Sequence, residues 1–262
     1  MLKVAGPHAT DRFIREADQI GFRTGQKGTH TSRTIMLEEL SAVLGSVAST
    51  ARRVDYADAI IHGNCLGKPT LSTRRLTDQR LSELYALDPA VPLFRVLRRV
   101  WEVDDPAGRP VLALLAAIAR DPLLAATAPA VLSLDVDQEL TRSRMTAVLR
   151  ALVGERLNEA TLDKVARNAG SSWTQSGHLE GRTFKRRKRV EATTSAMSFA
   201  LYLAYHAGFR SEEMFRSPWV QILDSTPTRA RELALDAKRS GLLDIRFAGD
   251  VVSVDFSRLE SE

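Results

Sequence analysis

Residues 171–190 read SSWTQSGHLEGRTFKRRKRV and bring together a serine pair, a tryptophan, a histidine and six cations within eight positions: Arg182, Lys185, Arg186, Arg187, Lys188 and Arg189. Ser171 and His178 would suit acyl transfer if a strand-to-helix turn of the form G-x-S-x-G exposed the serine. The stretch AGSSW lacks that turn, and no alternating-strand core is present to mount it. The six cations suit another chemistry. Crowded like charges repel one another, and a polyanion that neutralises them removes the cost. Arg and Lys supply the charge for phosphate oxygens, while amides and hydroxyls of Ser171, Ser172, Thr174 and Gln175 supply donors, in what reads as a loop. Trp173 either stacks on a base or, as a lone tryptophan more often does, anchors the core.

Other chemistries find little support. Asp135, Asp137 and Glu139 are close in sequence, yet i and i+2 on a helix face apart, and acidic residues favour a helix start for electrostatic reasons alone. Asp104 and Asp105 read as loop. The five histidines, His8, His30, His62, His178 and His206, show no pair at metal-ligand spacing. Cys65 is the single cysteine, so neither a disulfide nor a Cys-based zinc site is expected. GQKGT near position 25 lacks the GxxxxGK[ST] spacing of a phosphate loop. No catalytic residue, metal or cofactor is therefore expected.

Net charge is +5, but residues 141–200 alone carry an excess of seven cations, leaving the remainder slightly acidic. So concentrated a field points to a polyanionic partner. Positions 1–13 lack the apolar stretch of a secretory leader. The most apolar run, 111–134, is broken by Arg120, Asp121, Pro122 and Pro129. A cytoplasmic protein with no membrane contact and no small-molecule substrate is the expectation.

The elements that must position these residues are mainly helical; the expected class is all-α with a small C-terminal β-hairpin. Residues 1–30 are expected to form a poorly tied arm. Apolar spacing predicts a helix from about 35 to 47 with Ser32 or Thr34 as cap, then 55–64 capped by Asp55, then 72–87 capped by Ser72. These three outline a helix-turn-helix unit carrying Arg74, Arg75 and Arg80. Helices at 92–103, 109–119, 122–134, 137–155 and 158–170 complete a body spanning 31–170, the last ending at Gly170. Residues 171–262 form the remaining region, with a helix at 192–209, a short one at 217–224 and another at 227–243. DIRF and VVSVDF then alternate around AGD as a hairpin. That order describes a winged helix-turn-helix whose recognition helix carries Arg229, Arg231, Lys238 and Arg239, with Arg246 on the wing.

NCLGKPTLSTRRLTDQRLSELYALD, VLALLAAIARDPLL and SSWTQSGHL resemble the BrxA family of bacteriophage-exclusion (BREX) defence systems over roughly residues 32–190. The resemblance implies an all-helical, non-enzymatic, DNA-binding component with a body similar to the NusB fold; the C-terminal hairpin extends beyond it. Together these readings give a double-stranded DNA-binding protein that acts with other defence-system proteins. Arg182, Lys185, Arg186, Arg187, Lys188 and Arg189 would attract phosphates. Arg74, Arg75, Arg80, Arg229, Arg231 and Trp173 would contact the backbone or groove. An assembly adaptor and an RNA-binding protein are the alternatives.

Overall fold

A computed structural model of the chain describes residues 17–25, 28–249 and 251–261. Among the described residues, after helical residues 17–20, the α-helices are numbered in order: α1 (Leu37–Ser46), α2 (Arg53–Ile61), α3 (Leu71–Tyr85), α4 (Pro92–Val103), α5 (Arg109–Arg120), α6 (Pro122–Leu132), α7 (Arg142–Val153), α8 (Glu159–Gln175), α9 (Thr194–His206), α10 (Pro218–Gln221), α11 (Pro227–Arg239) and α12 (Ser257–Glu260). Two antiparallel hairpins join them, β1 (Leu179–Glu180) with β2 (Arg186–Arg187), and β3 (Asp244–Ala248) with β4 (Val251–Asp255). The all-α class with a C-terminal hairpin is what the apolar periodicity predicts.

Two helices form the centre. Every residue from Val111 to Ala119 in α5 and from Ser195 to Ala204 in α9 is buried. Helices apolar around their whole circumference belong in an interior. One contiguous core results, because α9 packs on α4 and α5 as well as on α10 and α11. The expected boundary at 170/171 falls inside α8, and the C-terminal elements share the core of the body. Among the described residues no helix is long and apolar enough to cross a membrane, and no group of three or more His, Cys, Asp or Glu could hold a metal ion.

The C-terminal elements follow the expected order of a winged helix-turn-helix. A 3-10 segment (Ser211–Arg216) leads into α10, a turn follows, and α11 lies across α9. Thr226 caps α11, accepting from the Arg229 N–H at 3.2 Å, and Pro227 occupies the first helical position. The hairpin pairs Asp244 with Asp255 through Ala248 with Val251, burying Ile245 and pointing Arg246 outward. The Val252 N–H donates to Ser211 Oγ at 2.9 Å, which fixes the hairpin to the 3-10 segment.

Several expectations are corrected. Residues 1–16, with Gln26 and Lys27 of the GQKGT stretch, lie outside the described residues. The described part of the expected arm is well tied: Ala17, Phe22, Thr29 and His30 are buried. Helix α1 begins after Met36 without a side-chain cap, and Thr34 Oγ1 instead accepts from the Met36 N–H. Asp55 is the third residue of α2 and reaches back to the Arg52 N–H at 2.7 Å. Thr70 rather than Ser72 caps α3. The predicted helix from 137 starts only at Arg142, because Asp137 takes a positive φ of 64° and residues 137–140 pair with β2. Helix α8 does not stop at Gly170. It runs to Gln175 and ends where Gly177, at φ 85°, supplies the left-handed turn that an L side chain resists.

Candidate nucleic-acid interface

The basic run is centred on a short strand, and that decides where its charges go. Strand β2 pairs with β1, Leu179 opposite Arg187 and Glu180 opposite Arg186. On its other edge the Leu140 N–H donates to Lys185 O at 2.8 Å and the Arg187 N–H to Gln138 O at 3.0 Å. The run is thus the middle of a three-stranded patch, and successive side chains point to opposite faces.

Arg187 points inward and is buried. Its guanidinium pairs with Asp224 in the turn before α11, and the other Asp224 oxygen accepts from the Val190 N–H at 2.9 Å. A buried guanidinium requires such a partner, so Arg187 staples the hairpin to the C-terminal unit. Beside it lies His178, fully buried, with Nε2 donating to Ile222 O at 2.7 Å and Nδ1 2.9 Å from Ser176 Oγ. Burial, helped by the nearby Arg187 charge, outweighs the hydrogen bond to Ile222 and the Asp224 charge, and the His178 pKa is pulled down to about 4.

The neighbouring cations are also engaged. Lys188 Nζ lies 3.2 Å from Glu180 and 3.5 Å from Asp137, and these carboxylates raise its pKa. Lys185 lays its stem over Gly170 and donates to Thr174 Oγ1 at 2.9 Å; desolvation lowers its pKa. The expectation of six cations crowded together for phosphate is therefore corrected: Arg187 and Lys188 are matched by carboxylates, and Lys185 is tied to the Thr174 hydroxyl. Arg182, Arg186 and Arg189 remain exposed and make no ion pair among the described residues.

Trp173 is corrected too. It lies in the last turn of α8, fully buried, and donates from Nε1 to Thr127 Oγ1 at 2.8 Å, with the His178 ring edge-on at 4.9 Å. It anchors the core and cannot stack on a base. The α3 arginines divide. Arg74 satisfies carbonyls at Lys68 (3.0 Å) and Ile61 (3.3 Å), finishing the α2 terminus. Arg80 pairs with Glu83 at 2.7 Å, and only Arg75 stays exposed. On α11, Arg231 pairs with Glu212 and sits 6.0 Å from the rings of Phe215 and Phe247, bracing the helix against the wing. Arg239 pairs with Asp236, and Lys238 donates to Ile245 O at 3.0 Å. Arg229 makes an exposed pair with Glu232 at 2.9 Å, worth about 0–1 kcal/mol and readily exchanged for a phosphate.

Two predicted residues from distant positions border one cavity. Arg189 and Arg229 line one cleft of about 870 Å³ between the α4–α5 turn, the end of α8, residues 189–195 and α11. Its deepest acid, Asp104, is 3.2 Å from Thr193 Oγ1, and burial raises its pKa despite hydrogen bonds from Thr193 and Ser195. Arg189, just past β2, and Arg229, in the amino-terminal turn of α11, thus border the same cleft. Helix α3, with Arg75, packs instead on α2 and α5.

Sequence reasoning missed one constellation entirely. His30 Nδ1 lies 2.8 Å from Asp121 Oδ2 and His30 Nε2 lies 2.7 Å from Ser172 Oγ, the linkage of a serine hydrolase triad. All three residues are wholly buried, and Ser172 Oγ also accepts from the Ile35 N–H at 3.0 Å and reaches Asn168 O at 2.9 Å. Asp121 caps α6 through the Leu123 and Leu124 N–H groups and accepts the His30 N–H as well. Burial pushes the Asp121 carboxyl up, but the His30 ring and these hydrogen bonds overcome it and leave the pKa below the usual carboxylate value. The chain of bonds fastens residues 28–35 to α6 and α8, with no exposed nucleophile. No spacing signal links positions 30, 121 and 172. Compared with protein-family models and with curated proteins, the chain matches none.

Proposed function

We propose that this protein binds double-stranded DNA without catalysing a reaction, as a component of a BREX-type defence system. The observation that carries this reading is the C-terminal unit. Its order of helix, turn, helix and hairpin leaves the amino-terminal turn of α11 in solvent, with Thr228 and Arg229 exposed there and Arg246 exposed on β3. In such units this turn meets DNA and the wing flanks it. Arg189, sharing the cleft with Arg229, and Arg182 and Arg186 on the basic hairpin extend the cationic surface. The defence-system assignment rests on the resemblance of residues 32–190 to the BrxA family.

The test is fluorescence anisotropy of a random 25-base-pair duplex across a salt series. Log K should fall linearly with log salt, by roughly 0.9 for each phosphate neutralised. Arg229→Ala with Arg246→Ala should weaken binding at every sequence, and Arg182→Ala with Arg186→Ala should flatten the slope by about 1.8. Binding that ignores salt would sink the reading.

A second reading, an assembly adaptor, draws on one feature of α11. Its face pairs Arg229 with Glu232 and Arg239 with Asp236 and exposes Leu235 (41%), while Val251 opens the wing (65%). Pull-down of defence-system proteins that survives nuclease treatment would favour it.

A further inference from the structure

The tip of the first hairpin has a feature that phosphate binding does not use. Gly181, Arg182, Thr183 and Phe184 are consecutively exposed, and Phe184, at 67%, is the most exposed large apolar side chain described. A single exposed apolar residue is ordinary on a loose loop. This loop is not loose. A Cβ on Gly181, at φ 97°, would lie 2.1 Å from the Phe184 carbonyl oxygen, so the turn closes tightly on itself. Behind it Lys185 is clamped to Thr174 over Gly170, β2 is paired on both edges, and Arg187 is locked to Asp224. The ring is held out on a braced mount between two unpaired cations, Arg182 and Arg186. Arg167 is exposed on α8 one turn before Gly170, which the Lys185 stem covers.

We propose that this tip is a wedge for a nucleic-acid duplex: Phe184 enters between adjacent bases while Arg182 and Arg186 hold the flanking phosphates. The proposal rests on the DNA-binding reading above. Apolar side chains on rigid elements unstack a base step in this way, and cations beside them neutralise the phosphates drawn close. An aromatic ring also stacks on bases without regard to sequence, which suits an attachment made mainly to the backbone. A membrane surface fits less well. Insertion needs several apolar side chains on one side, and the tip carries only Phe184, flanked by Arg182, Thr183 and Lys185.

The experiment uses the full chain with Phe184→Ala and Phe184→Trp. The native tryptophans Trp101, Trp173 and Trp219 are buried, so a tryptophan at 184 reports on the tip. On adding the random duplex, its emission should be quenched and shielded from acrylamide. Phe184→Ala should melt like the wild type, lose roughly tenfold in duplex affinity and keep the same salt slope. A duplex complex that forms with unchanged affinity for Phe184→Ala, its tryptophan counterpart still open to acrylamide, overturns the wedge and leaves DNA binding standing. Absence of duplex binding by the wild type at any salt removes both. Shielding by anionic phosphatidylglycerol vesicles but not by duplex overturns the wedge in favour of a lipid surface.

Discussion

Acidification should loosen this protein at one buried histidine. His178 has no solvent exposure, and its pKa falls from an ordinary 6.5 to about 4. Above about pH 6.5 it is neutral folded and unfolded, and contributes no pH dependence. Between there and about 4, only the unfolded chain takes up the proton. The unfolded state then binds more protons, so stability drops as pH falls across this window. Each unit of pKa difference is worth about 1.4 kcal/mol, so this one side chain costs about 2 kcal/mol by pH 5 and about 3 by pH 4. Urea denaturation at pH 7.5, 6.5, 5.5 and 5.0 of wild type and His178→Gln isolates it, because the other titrating groups cancel in the difference. The variant should be the less stable at pH 7.5, having lost the bond to Ile222, and the gap should narrow by about 2 kcal/mol at pH 5. A gap that stays constant with pH would refute the reasoning.

Three further outcomes follow from the same neighbourhood. Asp224→Ala strands the buried Arg187 charge and should cost about 3–5 kcal/mol in urea denaturation, much of it recovered when Arg187→Met is added. Trp173→Ala empties a fully buried site beside Thr127 and His178 and should cost about 3–5 kcal/mol, whereas Trp173→Phe should leave duplex affinity unchanged in anisotropy. Gly181→Ala forces a Cβ against the Phe184 carbonyl and should show as altered amide shifts confined to residues around the tip, with the melting temperature of the body little changed.

Helical periodicity made most of the fold legible, because burial of one face and caps such as Asn158 and Ser217 act locally. What it missed depends on partners far along the chain. Gly170 reads as a terminator, yet α8 runs through it to Gln175, where the turn at Gly177 ends the helix. Residues 137–140 look like the start of a helix until β2 offers their backbone groups a strand to pair with. His30 looks like part of a loose arm because Asp121 and Ser172, which hold it, lie 91 and 142 positions away. Of the site, Arg182, Arg186, Arg189 and Arg229 stand in solvent as their sequence pattern suggested, while Trp173 and Arg187 are inside.

The density of a charge run in sequence is a poor measure of its density in space, and β2 shows why. Alternation along a strand lets one stretch serve two faces. On the inner face Arg187 binds the hairpin to the turn before α11, and on the outer face Arg186 stays in solvent while Lys188 bridges Glu180 and Asp137. Six cations neutralising phosphates would steepen the salt dependence by about 5.4, but the three exposed, unpaired arginines of the run, Arg182, Arg186 and Arg189, would account for only about 2.7. On the proposed DNA-binding reading, Arg229 and Arg246 of the C-terminal unit would add to that attraction. Because Arg187 and His178 both fasten the hairpin to residues 222–224 of that unit, the two surfaces are held as one body. A duplex that engages α11 therefore meets the hairpin tip in a fixed relation, which is the condition under which a protruding aromatic ring can act on a base step instead of sweeping through solvent.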